Sequence, residues 1–169
     1  MKPNPILRFV PRALAVAALC LAAPAFANPE LMGTWRMDLE RSEAMQGGLK
    51  IDNTYTLEAQ GDDVKVRRTF YQGGQSTGVD WTFVTDGKPH EIPGLREPRL
   101  ARTKWKKQKL NVSYTLSIDT PRGEFNLDVT ETWLLNKAGE LEIRYFTRTP
   151  RGPQNRVEIY VREPGSAER

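Results

Sequence analysis

The chain has almost no residues that serve metal or thiol chemistry. Its 169 residues include one cysteine, Cys20, and one histidine, His90. One cysteine cannot form an internal disulfide, and one histidine cannot build the clusters that hold catalytic zinc. Phosphate-binding glycine loops, Asp-rich calcium loops and Gly-x-Ser-x-Gly are absent as well. We therefore predict no cofactor, no metal and no catalytic residue, and interpret His90, beside Pro89, as a turn or strand residue.

Long apolar runs are also absent. The run from Ala13 to Ala23 follows a basic start and ends in Pro-Ala-Phe-Ala. It falls short of the roughly 20 residues that span a bilayer, and its flanks are typical of a secretory signal peptide. We predict a signal over residues 1–27, cleaved after Ala27, which places the protein in the periplasm or outside the cell. An uncleaved anchor is an alternative; lipidation at Cys20 is disfavoured because Leu19 is large.

The mature chain has little net charge of either sign. The whole sequence has 25 Lys and Arg against 21 Asp and Glu, and the signal removes three basic and no acidic residues. The near balance gives no reason to expect a nucleic-acid partner. Residues 28–162 suffice for one domain with its own core, followed by a flexible tail over 163–169. We expect a monomer without a transmembrane segment.

Strict two-residue alternation fills the rest of the chain. Leu110, Val112 and Tyr114 alternate with Asn111 and Ser113. Successive side chains of a strand face opposite sides, so this pattern predicts a sheet with one dry and one wet face. The ten predicted strands are Gly33–Leu39, Lys50–Ala59, Asp63–Tyr71, Gly78–Thr85, Pro89–Ile92, Leu100–Lys107, Leu110–Asp119, Glu124–Leu135, Glu140–Thr149 and Arg156–Arg162.

Consecutive hairpins favour an all-β, antiparallel up-and-down barrel of 8–10 strands, since closure removes exposed edges. In such a meander, alternate connections lie at opposite ends. The even connections are short turns, whereas the odd connections, among them 72–77, 93–99 and 120–123, read as longer loops. We therefore predict a cup with one tied end and one open end, where binding usually occurs.

The opening Gly33-Thr34-Trp35 resembles the Gly-x-Trp motif of the lipocalins. Segment 33–38 with Arg41-Ser42, and then segments 80–83, 86–90 and 93–94, are similar to small secreted bacterial lipocalin-like proteins of unknown function. The resemblance implies a calycin-type barrel in which Gly33 and Trp35 lie at the floor and Arg162, on the last strand, packs near the tryptophan. It also implies a small-molecule ligand, or in some members isomerase or esterase activity.

Two charges interrupt otherwise apolar faces. Arg68 is in phase with Val64 and Val66, and Glu131 is in phase with Val129. A buried charge needs a partner, so each is an anchor for a ligand or half of a structural salt bridge, unless the alternation slips locally and the side chain faces solvent. Inward aromatics and the arginines of two repeated Thr-Pro-Arg-Gly turns complete the candidate ligand-binding set. Its members are Arg68, Trp81, Trp105, Tyr114, Arg122, Glu131 and Arg151.

A basic stretch from Arg96 to Lys109 places Arg102, Lys104 and Lys106 on the outer face of one strand. It is either a solvated face or a contact for an anionic envelope surface. The leading hypothesis is an exported, lipocalin-like binding protein for a small hydrophobic or anionic amphipathic ligand. The alternative is an envelope structural or interaction protein whose barrel is filled by its own side chains.

Overall fold

The computed structural model describes residues 27–43, 50–94, 97–120, 123–150 and 152–164, the side chains of 119 and 120 excepted. The predicted signal therefore lies outside the described residues except for Ala27, as does most of the predicted tail. A short 3-10 helix, Pro29–Leu31, precedes ten strands. These are β1 Gly33–Met37, β2 Asn53–Gln60, β3 Asp63–Gln72, β4 Gln75–Phe83, β5 Pro89–Ile92, β6 Arg99–Lys106, β7 Lys109–Thr120, β8 Gly123–Leu135, β9 Leu141–Thr149 and β10 Gly152–Arg162.

The strands form one antiparallel sheet in the order β4-β3-β2-β1-β10-β9-β8-β7-β6-β5. The last strand pairs with the first, with Trp35 opposite Arg162. This arrangement confirms the predicted up-and-down barrel. Within the described residues no ladder joins β4 to β5, so the barrel is nearly closed and has one gap. The described part contains no helix long and apolar enough to cross a membrane.

Large apolar side chains fill the end where β1 begins. Trp35 and Trp133 are fully buried there together with Phe83. The rings of Phe83 and Trp133 meet edge to face with their centroids 5.5 Å apart, a preferred geometry for aromatic pairs. Leu31 of the 3-10 helix closes this floor from below, and its carbonyl accepts the indole N–H of Trp35 at 2.9 Å. The guanidinium of Arg162 lies 4.1 Å from the Trp35 ring centroid.

The strand ends that the odd connections join all lie at the opposite end, as predicted, because the strands alternate strictly in direction. The prediction of a longer loop over 72–77 is wrong, since Gln72 pairs with Gln75 around a two-residue turn of Gly73 and Gly74. Both glycines have positive φ, 59° and 79°, which is the conformation that twisted hairpins require. Strand β4 therefore begins at Gln75, not Gly78, and the open end has fewer long loops than expected.

Candidate functional site in the barrel interior

A group of polar side chains projects into the barrel above the aromatic floor. It arises because β10 alternates Arg156, Glu158 and Tyr160 on its inner face. Register places Glu131 of β8 opposite Tyr145 of β9, and Tyr145 opposite Arg156. We call this group the polar cluster; its members are Asn53, Arg68, Arg99, Tyr114, Glu131, Tyr145, Arg156, Glu158 and Tyr160.

Glu158 organises one half of the polar cluster. It is 3% exposed and accepts hydrogen bonds from the hydroxyls of Tyr145 at 2.8 Å and Tyr160 at 2.9 Å. It also forms an ion pair with Arg156, whose guanidinium lies 3.8 Å from the Tyr145 ring centroid. Burial raises the pKa of both tyrosines well above the ordinary value. They therefore remain protonated donors to a carboxylate that is fully partnered.

Arg68 is held differently. Its Nε donates to Oδ1 of Asn53 at 3.2 Å, and its guanidinium lies 4.5 Å from the Phe70 ring centroid and 5.0 Å from that of Tyr55. Asn53 is itself buried and donates to the Ile51 carbonyl at 2.8 Å. Within the described residues, the two terminal nitrogens of Arg68 have no hydrogen-bond or ion-pair partner. A guanidinium presented in this way can grip a carboxylate or similar anion through two donors.

Glu131 organises the other half. Its oxygens accept from the Tyr114 hydroxyl at 2.6 Å and the Trp133 indole N–H at 2.8 Å. Burial raises the pKa of Glu131, and these two hydrogen bonds oppose the effect. Arg99 lies 4.4 Å from the Tyr114 ring centroid, and its Nε donates to the Pro93 carbonyl at 3.2 Å. Arg99 thus links the segment that follows β5 to the barrel interior.

The charges of the polar cluster do not balance. Three arginines, Arg68, Arg99 and Arg156, face two carboxylates, Glu131 and Glu158. Because burial raises the pKa of Glu131, its carboxyl stays protonated to a higher pH than an ordinary glutamate. While it is protonated, the positive excess of the polar cluster is larger. An unbalanced buried charge is costly unless a counterion or water compensates it. The interior is therefore electrostatically suited to one anionic group.

Between the polar cluster and the open end, the inner surface is apolar where β3, β7 and β8 form it. Phe70, Leu116 and Leu127 are half-buried, while Ile118 and Phe125 are 42% and 39% exposed although they continue the inward-facing rows of β7 and β8. Apolar side chains that face inward yet remain accessible line open space rather than packed core. The interior thus has three levels: a packed aromatic floor, the polar cluster and a mouth with apolar side chains on β3, β7 and β8.

The predicted aromatics lie around the gap between β4 and β5. Trp81 lines a cavity of about 400 Å³ there, together with Ile92, Pro93 and Glu97. Its indole N–H is buried and has no partner among the described residues. Trp105 lies lower and donates its indole N–H to the Asp62 carbonyl at 2.9 Å, which links β6 to the β2–β3 turn.

The structure therefore brings together three of the predicted ligand-binding residues, Arg68, Tyr114 and Glu131, while Trp81 borders the gap and Trp105 packs apart from the polar cluster. Arg122 and Arg151 lie outside the described residues. The sequence-based set omits the other six members of the polar cluster: Asn53, Arg99, Tyr145, Arg156, Glu158 and Tyr160. Two-residue spacing of Arg156, Glu158 and Tyr160 on the last strand is the signal that could have found part of this group.

No protein-family model and no curated protein matches the chain. Solved structures do match its fold. Zebrafish ileal bile acid-binding protein, solved with cholic acid, aligns at a TM-score of 0.55 with 12% identity over 79% of this chain and 99% of that one. A mutant of the REP1-NXSQ fatty acid transporter aligns at 0.50 with 9% identity, over 79% of this chain and 98% of the other. Secretory abundant heat soluble protein 4 of Ramazzottius varieornatus also aligns at 0.50 with 9% identity, over 80% and 98%. These likenesses show that the chain has a calycin-type, lipocalin-like barrel fold.

Proposed function

We propose that this protein binds one anionic amphiphile inside its barrel, with the head group at Arg68 and the apolar body toward the open end. The observation that carries the proposal is the Arg68 guanidinium, which lies over the rings of Phe70 and Tyr55 and, among the described residues, is hydrogen-bonded through Nε only. The positive excess of the polar cluster and the apolar mouth above it favour the same orientation. The neighbouring folds that bind cholic acid or carry fatty acids are consistent with it.

The experiment compares two ligands of equal chain length, dodecanoate and dodecanol, by calorimetric titration. We expect the carboxylate to bind more tightly, and Arg68→Met to remove that preference while leaving dodecanol affinity unchanged. The change should weaken dodecanoate binding about tenfold or more, the worth of a charge-assisted hydrogen bond. The matched control is Arg67→Met, on the outer face of the same strand, where Arg67 pairs with Asp80. Equal affinities in the unmodified protein would contradict the proposal.

The alternative is an interaction protein whose barrel holds no ligand. The observation that favours it is the packed floor, in which Trp35, Phe83 and Trp133 are at most 1% exposed. Under this alternative neither dodecanoate nor dodecanol binds, and Arg68→Met changes stability alone. The same titration therefore separates the two functions. We also propose that the chain acts after export, in the periplasm or outside the cell, because its first 27 residues have the pattern of a cleaved signal.

A further inference from the structure

Five exposed cations cover the outer surface of the β6–β7 hairpin. Arg102, Lys104 and Lys106 alternate along β6, Lys107 is in the turn, and Lys109 begins β7. In the described part of the chain none of the five forms an ion pair. Three exposed cations on other strands, Arg36, Lys65 and Arg67, each pair with a carboxylate. We call these five residues and Leu100 the basic face.

The hairpin carries this charge at a cost to its own stability. Lys106 lies directly opposite Lys109, and like charges in that position destabilise a sheet. Lys107 has a φ of 59°, and it is the only residue other than glycine with positive φ in the described residues. Glycine or asparagine suits that conformation better than lysine. Neutral residues flank the face, since Lys104 lies opposite Asn111 and Arg102 opposite Ser113.

Leu100 begins the same outward row. It is 62% exposed, more than any other large hydrophobic residue described. Its neighbour on β5 is Glu91, an acidic residue at the edge of the face. An apolar side chain in line with unpaired cations matches a bilayer surface, where lipid phosphates attract the cations and the interface accepts the leucine.

We propose that the basic face docks the protein on an anionic lipid bilayer. Single-stranded nucleic acid fits less well, because such sites combine basic residues with exposed aromatic rings on which bases stack. The one aromatic residue of this strand, Trp105, faces inward and donates to Asp62. Docking does not depend on a ligand inside the barrel, so it is tested separately from the proposed function.

The test is co-sedimentation of the full chain with vesicles of phosphatidylcholine alone or mixed with phosphatidylglycerol. The first variant combines Lys104→Glu, Lys106→Glu and Lys109→Glu. The control reverses three exposed lysines elsewhere, Lys50, Lys65 and Lys137, and so has the same net charge. All variants share the N-terminal residues, whose own membrane affinity is therefore common to every comparison. Circular dichroism checks that each variant is folded.

We expect the mixed vesicles to bind the unmodified protein more tightly than phosphatidylcholine vesicles, and added salt to weaken the difference because charges are screened within about 10 Å at 0.1 M. The variant of the basic face should lose about tenfold or more in affinity, since each nearby cation contributes appreciably. The control should bind as the unmodified protein does. An equal loss in the control, or no preference for the mixed vesicles, would overturn the proposal.

A second variant distinguishes a bilayer from a soluble polyanion. Leu100→Ser should weaken binding to mixed vesicles and leave binding to dextran sulfate unchanged. If Leu100→Ser has no effect on vesicles and dextran sulfate binds as tightly as they do, the basic face is a general polyanion site. That result would make the bilayer proposal wrong even though the cations bind.

Discussion

At the scale of single residues, the sequence located the charges of the interior better than their partners. Arg68 and Glu131 stand out because each breaks an apolar row, and both face the interior. Glu158 does not stand out, because β10 places Val157, Ile159 and Val161 on its outer face and its polar residues inside. Alternation alone cannot tell which face of such a strand is inward. The segment that follows β1 covers part of that outer face, and Ser42 hydrogen-bonds the backbone of Ile159 in both directions.

Glu131 has a measurable consequence for stability. Burial raises its pKa in the folded protein above the ordinary value of 4.5 that it regains on unfolding. Between the two values the folded state binds more protons than the unfolded state, so the free energy of unfolding falls as pH rises through this window. Glu131→Gln removes this titration. We therefore predict that the variant gains stability relative to the unmodified protein as pH increases above about 4.5.

Chemical denaturation of both proteins across a pH series measures this difference. Glu140→Gln is the matched control, because Arg41 and Asn136 lower the pKa of Glu140 by hydrogen bonding. A lowered pKa reverses the sign and places the window below the ordinary value of 4.5. The unmodified protein should therefore gain stability over Glu140→Gln as pH increases toward about 4.5, and the difference should stay constant above that pH. Parallel curves for Glu131→Gln and the unmodified protein would show that the carboxyl titrates normally.

At the scale of elements, alternation predicted ten strands in the right order, and their ends were the weakest part. The polar sequence around Gly73 and Gly74 reads as a loop because no apolar residue continues the pattern. In the structure the ladder continues to Gln72 and Gln75, because backbone hydrogen bonds extend a hairpin beyond the point where its side chains reach the core. Side-chain patterns indicate which residues are buried, but they do not indicate which solvent-exposed residues pair in a ladder.

The β3–β4 turn gives the prediction that belongs to this scale. Gly74 has a φ of 79°, and a Cβ added there would meet nothing within 4 Å. The cost of Gly74→Ala is therefore purely conformational, and we expect a loss of about 1–2 kcal/mol in the free energy of unfolding. Gly78, in β4, lacks positive φ, and its nearest contact would be Thr69 at 3.9 Å. Gly78→Ala should be neutral or slightly stabilising. Denaturant titration of the two variants compares them directly, and equal effects would contradict a left-handed turn.

At the scale of the whole molecule, the barrel is asymmetric along its axis and around its circumference. The floor is packed with aromatics, whereas the other end presents accessible apolar surface. Around the circumference, β5 has four residues and, in the part of the chain that the structure describes, pairs only with β6. The alternation pattern predicts consecutive antiparallel strands, but it cannot show that the gap lies between β4 and β5. Closure of the barrel depends on the tilt and stagger of all ten strands together.

The residues before β1 belong to the folded domain. The floor includes residues before β1: Leu31 is 1% exposed, and the carbonyls of Glu30 and Met32 accept hydrogen bonds from Arg162 at 2.6 and 2.7 Å. Asn28 caps the 3-10 helix through the Glu30 N–H and donates to the Gln108 carbonyl at 3.3 Å. A cleavage that removed these residues would uncover Trp35.

We therefore predict that the protein isolated from its native cell begins at Asn28 and carries no lipid, as intact-mass measurement would show. A recombinant chain starting at Asn28 should melt at the same temperature as that native protein. A chain starting at Gly33 should lose about 2–5 kcal/mol, because it gives up one buried leucine and exposes a large aromatic side chain. A native protein starting at Cys20 with added acyl mass would contradict the cleavage site, and an unchanged stability for the shorter chain would contradict the role of residues 28–32 in the floor.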